Sequence, residues 1–176
     1  AGNQEDDLNH LTGIKVIRIP SKTSTVFENQ YTDAGRIQFL KQRAVDLTFQ
    51  DIPDEWRKTP IVHLAPVAQE VPIPTRDDFP HSALGCSLQG WLRKWDQKGA
   101  IYPAPLPEFQ IMEKPDRTAF LSLEDIAGKK SWLDSIRSSF PLVLLTKGAA
   151  GVEYFKGKIN GELSALETQV IDPTGA

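Results

Sequence analysis

Four short stretches of this sequence hold the residue types that handle phosphate. Asp172-Pro173-Thr174-Gly175-Ala176 follows an apparent strand at 168–171, so a strand leads into a loop of small residues. Backbone N–H groups crowd around an anion in such a loop, and a helix begun there would add its positive end. An ordinary Pro-Thr-Gly turn fits the same residues. In Thr146-Lys147-Gly148-Ala149-Ala150-Gly151, the Thr146 hydroxyl can donate to a phosphate while Gly148 and Gly151 permit tight turns and close backbone approach. The alternative is a glycine-containing junction between helix and strand. Arg93 closes Gln89-Gly90-Trp91-Leu92-Arg93 with a planar set of donors whose charge does not titrate away, although Lys94 and Asp96 nearby also suit a helix surface. Ser122 and Asp125, three residues apart, describe a capped helix start with Ser122 as the cap.

Other reactive types read as structural. Cys86, in Ala83-Leu84-Gly85-Cys86, has the apolar setting of a core thiol. As the single cysteine it forms no internal disulfide, which suits a reducing, cytoplasmic setting. His63, on an apolar run at 61–65, reads as a satisfied core or edge histidine, and Trp91 and Trp95 read as packing.

The elements that position these residues are legible from periodicity. Residues 14–19 alternate apolar and basic, the pattern of a strand with one wet face; runs at 25–31 and 36–40 flank a turn at 32–35 and predict a hairpin. Thr48 caps a short helical turn. Apolar runs at 61–65, 83–88, 119–122 and 142–146, separated by helical segments such as 123–127 and 130–138, predict an α/β fold with a mainly parallel sheet. Residues 151–155 and 162–170, joined by a turn, add a further hairpin, and Pro103, Pro105 and Pro107 interrupt regular structure before residue 108.

With 176 residues, 40% of them hydrophobic, the chain is long enough for one domain spanning 1–176. A net charge of −3 with interspersed signs argues against nucleic acid and anionic membrane as partners. The apolar runs fall far short of the roughly 20 residues of a bilayer span, and no basic-then-apolar leader pattern is seen. Neither G-x-x-x-x-G-K-[ST] nor G-x-G-x-x-G occurs, which disfavours the nucleotide-binding folds built on those loops.

Asp172-x-Thr174-Gly175-Ala176 resembles the signature of ribokinase-like (PfkB) carbohydrate kinases, which continues as Gly-Asp. Thr146-x-Gly148-x-x-Gly151 after a strand, with one hairpin between the two matches, resembles that family's nucleotide loop. The resemblance implies a three-layer α/β/α fold with a small β lid over residues 14–45, and the middle portion of a family member. It implies an anion hole at Gly175 and Ala176, donor contacts from Asp172, Thr174, Thr146, Gly148 and Gly151, and a catalytic aspartate lying beyond Ala176. By position Ser122 stands where the family has asparagine, and Asp125, a magnesium-organising position, stands where it has glutamate. Arg93 matches an arginine that reaches substrate or phosphate, with Gln89 beside it. Tyr31, Glu28, Asn29 and Gln38 on the lid face either substrate or a partner lid, implying a homodimer joined there. The implied reaction moves the γ-phosphoryl group of ATP, with Mg²⁺ and a monovalent cation, to a primary hydroxyl of a sugar, polyol or nucleoside. The alternative is a non-catalytic binding relative with a regulatory role.

Overall fold

The computed structural model describes residues 1–3, 7–8, 11–33, 35–75, 77–107 and 116–167. Strands β1 (Val26–Thr32) and β2 (Gly35–Gln42) form the antiparallel hairpin expected from their alternation. Their register sets Phe27 opposite Leu40, Asn29 opposite Gln38 and Tyr31 opposite Arg36, so these six side chains share one face. Thr48 and Asp51 close a capping box around a 3₁₀ turn at Phe49–Asp51: the Thr48 amide and hydroxyl donate to Asp51 Oδ2 at 2.7 and 3.0 Å. One α-helical turn, α1 (Asp54–Arg57), follows.

The body is one six-stranded mixed sheet. Strands β3 (Ile61–Leu64) and β4 (Ala83–Ser87) are followed by an antiparallel ribbon of β5 (Arg93–Trp95) and β6 (Ile101–Pro103), which stands apart from the sheet. The chain returns in β7 (Arg117–Ser122), crosses through α2 (Lys130–Ser139) to β8 (Leu142–Thr146), and ends its described part with the hairpin β9 (Val152–Lys156) and β10 (Ile159–Leu163). The order is β10-β9-β8-β7-β4-β3, with β3, β4, β7 and β8 mutually parallel. Alternate residues Leu84, Cys86, Ala119, Leu121, Val143 and Leu145 are buried, and Ile136 of α2 packs with them. Each large aliphatic buried there contributes about 1.5–3 kcal/mol.

Three expectations are corrected. Residues 14–19 form no strand: Ile14 and Val16 are exposed, and among the described residues no strand pairs with them, so the alternation has no ladder to join. Residues 123–127 form turns and no helix, because Ala127 and Gly128 both have positive φ, at 49° and 66°. The expected alternation of strand and helix holds for β7-α2-β8 alone among the described residues. The described parts of the crossovers on either side of β4 carry Pro66, Pro72, Pro74, Pro80, Pro103, Pro105 and Pro107, whose missing amides and fixed φ deny a helix interior there. Arg93 accordingly opens a strand, where a helix surface was the alternative.

Candidate functional site

Parallel pairing aligns the carboxyl ends of β7 and β8, placing Ser122 opposite Thr146. Motifs more than twenty residues apart in sequence thus meet at the sheet edge where open α/β folds bind ligands. The Thr146 hydroxyl donates to the Leu121 carbonyl at 3.4 Å, and the Leu123 amide donates to the Thr146 carbonyl at 3.1 Å. Beyond Thr146 the chain turns at once, with the Lys147 amide donating to the Gly151 carbonyl at 2.8 Å. Gly151 has φ 91°, and a Cβ there would strike the Leu163 carbonyl oxygen, so only glycine lets the chain leaving β10 pass. Lys147 Nζ donates to Glu162 Oε1 at 2.7 Å and lies 3.7 Å from Glu153 Oε2; the hydrogen bond it makes to Glu162 is the main cause of its raised pKa.

Ser122 and Asp125 hold one another. The Ser122 amide and hydroxyl donate to Asp125 Oδ2 at 2.7 and 2.8 Å, and the Asp125 amide lies 3.2 Å from Ser122 Oγ. This is the reciprocal capping geometry, realised in a turn that no helix continues.

Above this edge the β1-β2 hairpin and the body flank an open cleft of about 260 Å³. Arg36 and Gln38 line it from β2, Gln89 and Arg93 from the chain leaving β4, and Glu124 and Asp125 from the chain leaving β7. Arg36 Nη2 lies 3.3 Å from Glu124 Oε2. Gln38 Nε2 donates to Asn29 Oδ1 at 2.9 Å. The Arg93 guanidinium sits 5.7 Å from the centroid of the Phe27 ring, within cation–π range, and its Nη1 donates to the Val67 carbonyl at 3.3 Å. Burial lowers the Arg93 pKa; the Asp125 and Glu70 carboxylates oppose this, and neighbouring Arg36 adds to it. An arginine keeps its charge through such shifts.

The loop after β3 fixes Arg93. Glu70, almost fully buried, accepts from the Val67 amide at 2.9 Å and the Ala68 amide at 2.6 Å, and the neighbouring Gln69 amide side chain donates to the Arg93 carbonyl. The same loop offers the Ala68 carbonyl to Arg43 Nε at 2.7 Å, tying down the chain just after β2. Sequence reasoning missed Arg36, Glu124 and Glu70. Arg36 had a signal, since it sits two residues from Gln38 on a strand and therefore on its face. Glu124 and Glu70 had none, because only the folded loops bring them to Arg36 and Arg93.

The structure brings Gln89, Arg93 and Asp125 to the cavity and places Ser122 and Thr146 at its sheet edge. Tyr31, 70% exposed, is near the tip of the β1-β2 hairpin on the face it shares with Arg36, opposite that residue. Glu28 points the other way and pairs with Lys41 at 3.1 Å; the hydrogen bond from Gln30, and after it Lys41, lower its pKa. Cys86 is fully buried, and burial pushes its thiol up to about 12, in keeping with a core role. His63 stands on the edge strand with Nε2 2.9 Å from Ser87 Oγ. Trp91 is buried and donates its indole N–H to the Val71 carbonyl at 2.7 Å. Asp172, Thr174, Gly175 and Ala176, with the strand expected at 168–171, lie outside the described residues. A second cavity, about 310 Å³, is lined mainly by apolar side chains such as Phe49, Ile52 and Trp56 and includes none of the phosphate-handling residues.

Among the described residues no three His, Cys, Asp or Glu side chains gather to form a metal cage. Mg²⁺ in phosphoryl-transfer sites needs none, being held by one or two carboxylates, waters and substrate phosphates. Asp125, whose Oδ1 is not used by Ser122, fits that role.

No protein-family model matches the chain, and no curated protein matches it. Its fold does match solved structures. A pyrophosphate-dependent kinase in the ribokinase family, solved as a sulfate complex, superposes with a TM-score of 0.68 at 20% identity, covering 96% of this chain and 64% of its own. A fructokinase double mutant from Vibrio cholerae O395, bound to fructose, ADP and a potassium ion, gives a TM-score of 0.50 at 16% identity over 89% of this chain and 55% of its own. A third structure, described as Sa239, gives 0.51 at 14% identity. The chain thus has a ribokinase-like fold, and it spans 64% of the length of the first of these neighbours. No described helix is long and apolar enough to cross a membrane.

Proposed function

We propose that the protein is a ribokinase-like (PfkB-type) carbohydrate kinase, moving the γ-phosphoryl group of ATP to a primary hydroxyl of a sugar, polyol or nucleoside. The observation that carries this reading is the convergence of Arg93, Gln89 and Asp125 under the lid, at the carboxyl edge that also bears Thr146. Catalysis of this class is positioning plus electrostatic stabilisation of phosphate charge. Arg93 supplies a fixed cation, the Thr146 loop supplies donors for the nucleotide, and the lid excludes water over the acceptor. Mg²⁺, when bound through Asp125, would neutralise donor phosphates. We assign the donor-side anion hole to Gly175 and Ala176, with Asp172 and Thr174 contacting the nucleotide, Ser122 the phosphates, and a monovalent cation nearby. The three-layer arrangement, a cytoplasmic location for the free thiol Cys86, and a homodimer joined through the lid belong to the same reading.

The test is donor consumption by the full-length protein across sugars, polyols and nucleosides, with ATP and with pyrophosphate as donors, since one structural neighbour is described as pyrophosphate-dependent. Acceptor-dependent turnover that Arg93→Ala abolishes supports the kinase. A second reading, a binding protein without catalysis, draws on the Ser122–Asp125 pairing, which engages the carboxylate offered to the metal. Acceptor binding with no turnover on either donor would favour it.

A further inference from the structure

Among the described residues, Gln69 and Ala127 are the two that hold a positive φ without being glycine, Gln69 at 58°. Glycine adopts this conformation freely, whereas a Cβ strains it. Such strain persists where surrounding contacts over-determine the backbone, and it gathers at functional sites. The contacts around Gln69 lead to Arg93. Gln69 Nε2 donates to the Arg93 carbonyl, and Arg93 Nη1 donates to the Val67 carbonyl at 3.3 Å, so one loop holds Arg93 by its main chain and by its guanidinium. The loop is itself anchored. Arg43 Nε and Nη2 donate to the Ala68 and Gln69 carbonyls at 2.7 and 3.1 Å, and the Leu47 amide donates to the Glu70 carbonyl at 2.7 Å. The Gly90 amide donates to the Pro66 carbonyl at 3.1 Å, and a Cβ on Gly90 would come within 2.4 Å of that oxygen, so the two backbones touch. We propose that Gln69 is a positioning residue for Arg93, its amide fixing the main chain from which the guanidinium meets an anion in the cleft. The inference deepens the function proposed above and rests on its assignment of Arg93 to phosphate.

The register of the β5-β6 ribbon explains why a side chain takes this place. The Ala104 amide donates to the Leu92 carbonyl at 2.8 Å and the Asp96 amide to the Ala100 carbonyl at 3.1 Å, so residues 92 and 96 turn their backbone groups toward β6. Arg93 stands opposite Pro103, which has no amide hydrogen, and by alternation its carbonyl points to the outer side of the ribbon. The ribbon has two strands, and no third supplies a donor there. Gln69 stands in for that neighbour. Water would satisfy the carbonyl equally well but would leave the strand free to shift, so what the side chain adds is order. At the other end, the guanidinium contacts a carbonyl and a ring face, and most of its five N–H groups are left for an anion.

Substitution separates order from stability. Gln69→Gly removes the donor and relieves the backbone, so its urea midpoint should stay close to that of the wild type. Its binding of inorganic pyrophosphate, measured by calorimetry on the full-length protein, should nevertheless weaken about tenfold, and kcat for acceptor phosphorylation should fall by a similar factor with the acceptor KM little changed. In an Arg93→Ala background Gln69→Gly should have no further effect on either, because it acts through the guanidinium. A merely structural role would lower the urea midpoint and act equally with and without Arg93. Affinity retained in Gln69→Gly but lost in Arg93→Ala, or an undiminished effect of Gln69→Gly in the Arg93→Ala background, overturns the inference and leaves the proposed function intact. Pyrophosphate that fails to bind the wild type, or binds Arg93→Ala as tightly, removes the anion site at Arg93 and the inference with it. Binding in the expected order with no acceptor phosphorylated defeats the kinase reading and leaves the inference standing.

Discussion

The Arg93 guanidinium lies over the Phe27 ring, 5.7 Å from its centroid, so the β1-β2 hairpin touches the side chain that the proposed function gives to the transferring phosphate. Lid position and the electrostatics of the site are therefore joined through one contact. Arg93→Ala should lower kcat/KM by about 100–1,000-fold, with most of the loss in kcat, because a fixed cation serves developing charge. Phe27→Ala should instead raise the acceptor KM severalfold and leave kcat within a factor of a few. Steady-state kinetics on both variants check the split, and equal effects on kcat would refute it.

Asp125 is assigned two tasks that substitution separates. Asp125→Ala removes the acceptor for the Ser122 amide and hydroxyl and should cost about 1 kcal/mol in urea denaturation, the scale of a lost cap. Asp125→Asn keeps an oxygen for those bonds and should stay within about 0.5 kcal/mol of wild type, while its Mg²⁺ requirement for turnover rises severalfold. An unchanged Mg²⁺ dependence would leave Asp125 a structural residue.

Gly99 has φ 83°, and a Cβ there would collide with the carbonyl oxygen of Leu40, whose amide donates to Gly99 at 2.8 Å. This contact, with the Phe39–Ala100 bridge, fastens the β5-β6 ribbon to the lid base. Gly99→Ala should destabilise the fold by about 1–3 kcal/mol and raise the acceptor KM more than any loss of kcat. Thermal denaturation and kinetics together give the answer.

Burial raises the Cys86 thiol from an ordinary value of 9.0 to about 12. Folding thus disfavours its thiolate, so its contribution is fully present below pH 9 and is lost as pH climbs toward 12. The native protein should resist thiol reagents at pH 8 and react fully once unfolded, and Cys86→Ala should flatten the alkaline loss of stability between those pH values. Rapid labelling of the native state would contradict the burial that defines the core.

Periodicity located most of the body. The runs at 83–88, 119–122 and 142–146 became β4, β7 and β8 because their apolar residues had parallel neighbours to pair with, and α2 appeared where its segment was expected. The same kind of pattern at 14–19 gave no strand, since alternation states what a residue would bury and leaves open whether a partner strand is present. The prolines between β3 and β4 deny that crossover a helix interior, where alternation of strand and helix predicts one, and none forms among its described residues.

At the site, residue chemistry pointed to Arg93 and Thr146, a fixed guanidinium and a hydroxyl beside a glycine-rich turn, while the family resemblance supplied Gln89 and Asp125 by position. Tertiary structure decided which of them meet. Parallel register set Ser122 beside Thr146, the hairpin register turned Gln38 and Arg36 to one face, and the loops after β3 and β7 delivered Glu70 and Glu124. Local sequence determines what a side chain can do and which face of its own element it takes. Proximity between elements separated by tens of residues depends on packing and pairing that no local pattern encodes, and so the ion pair of Arg36 with Glu124 was decided by the fold alone.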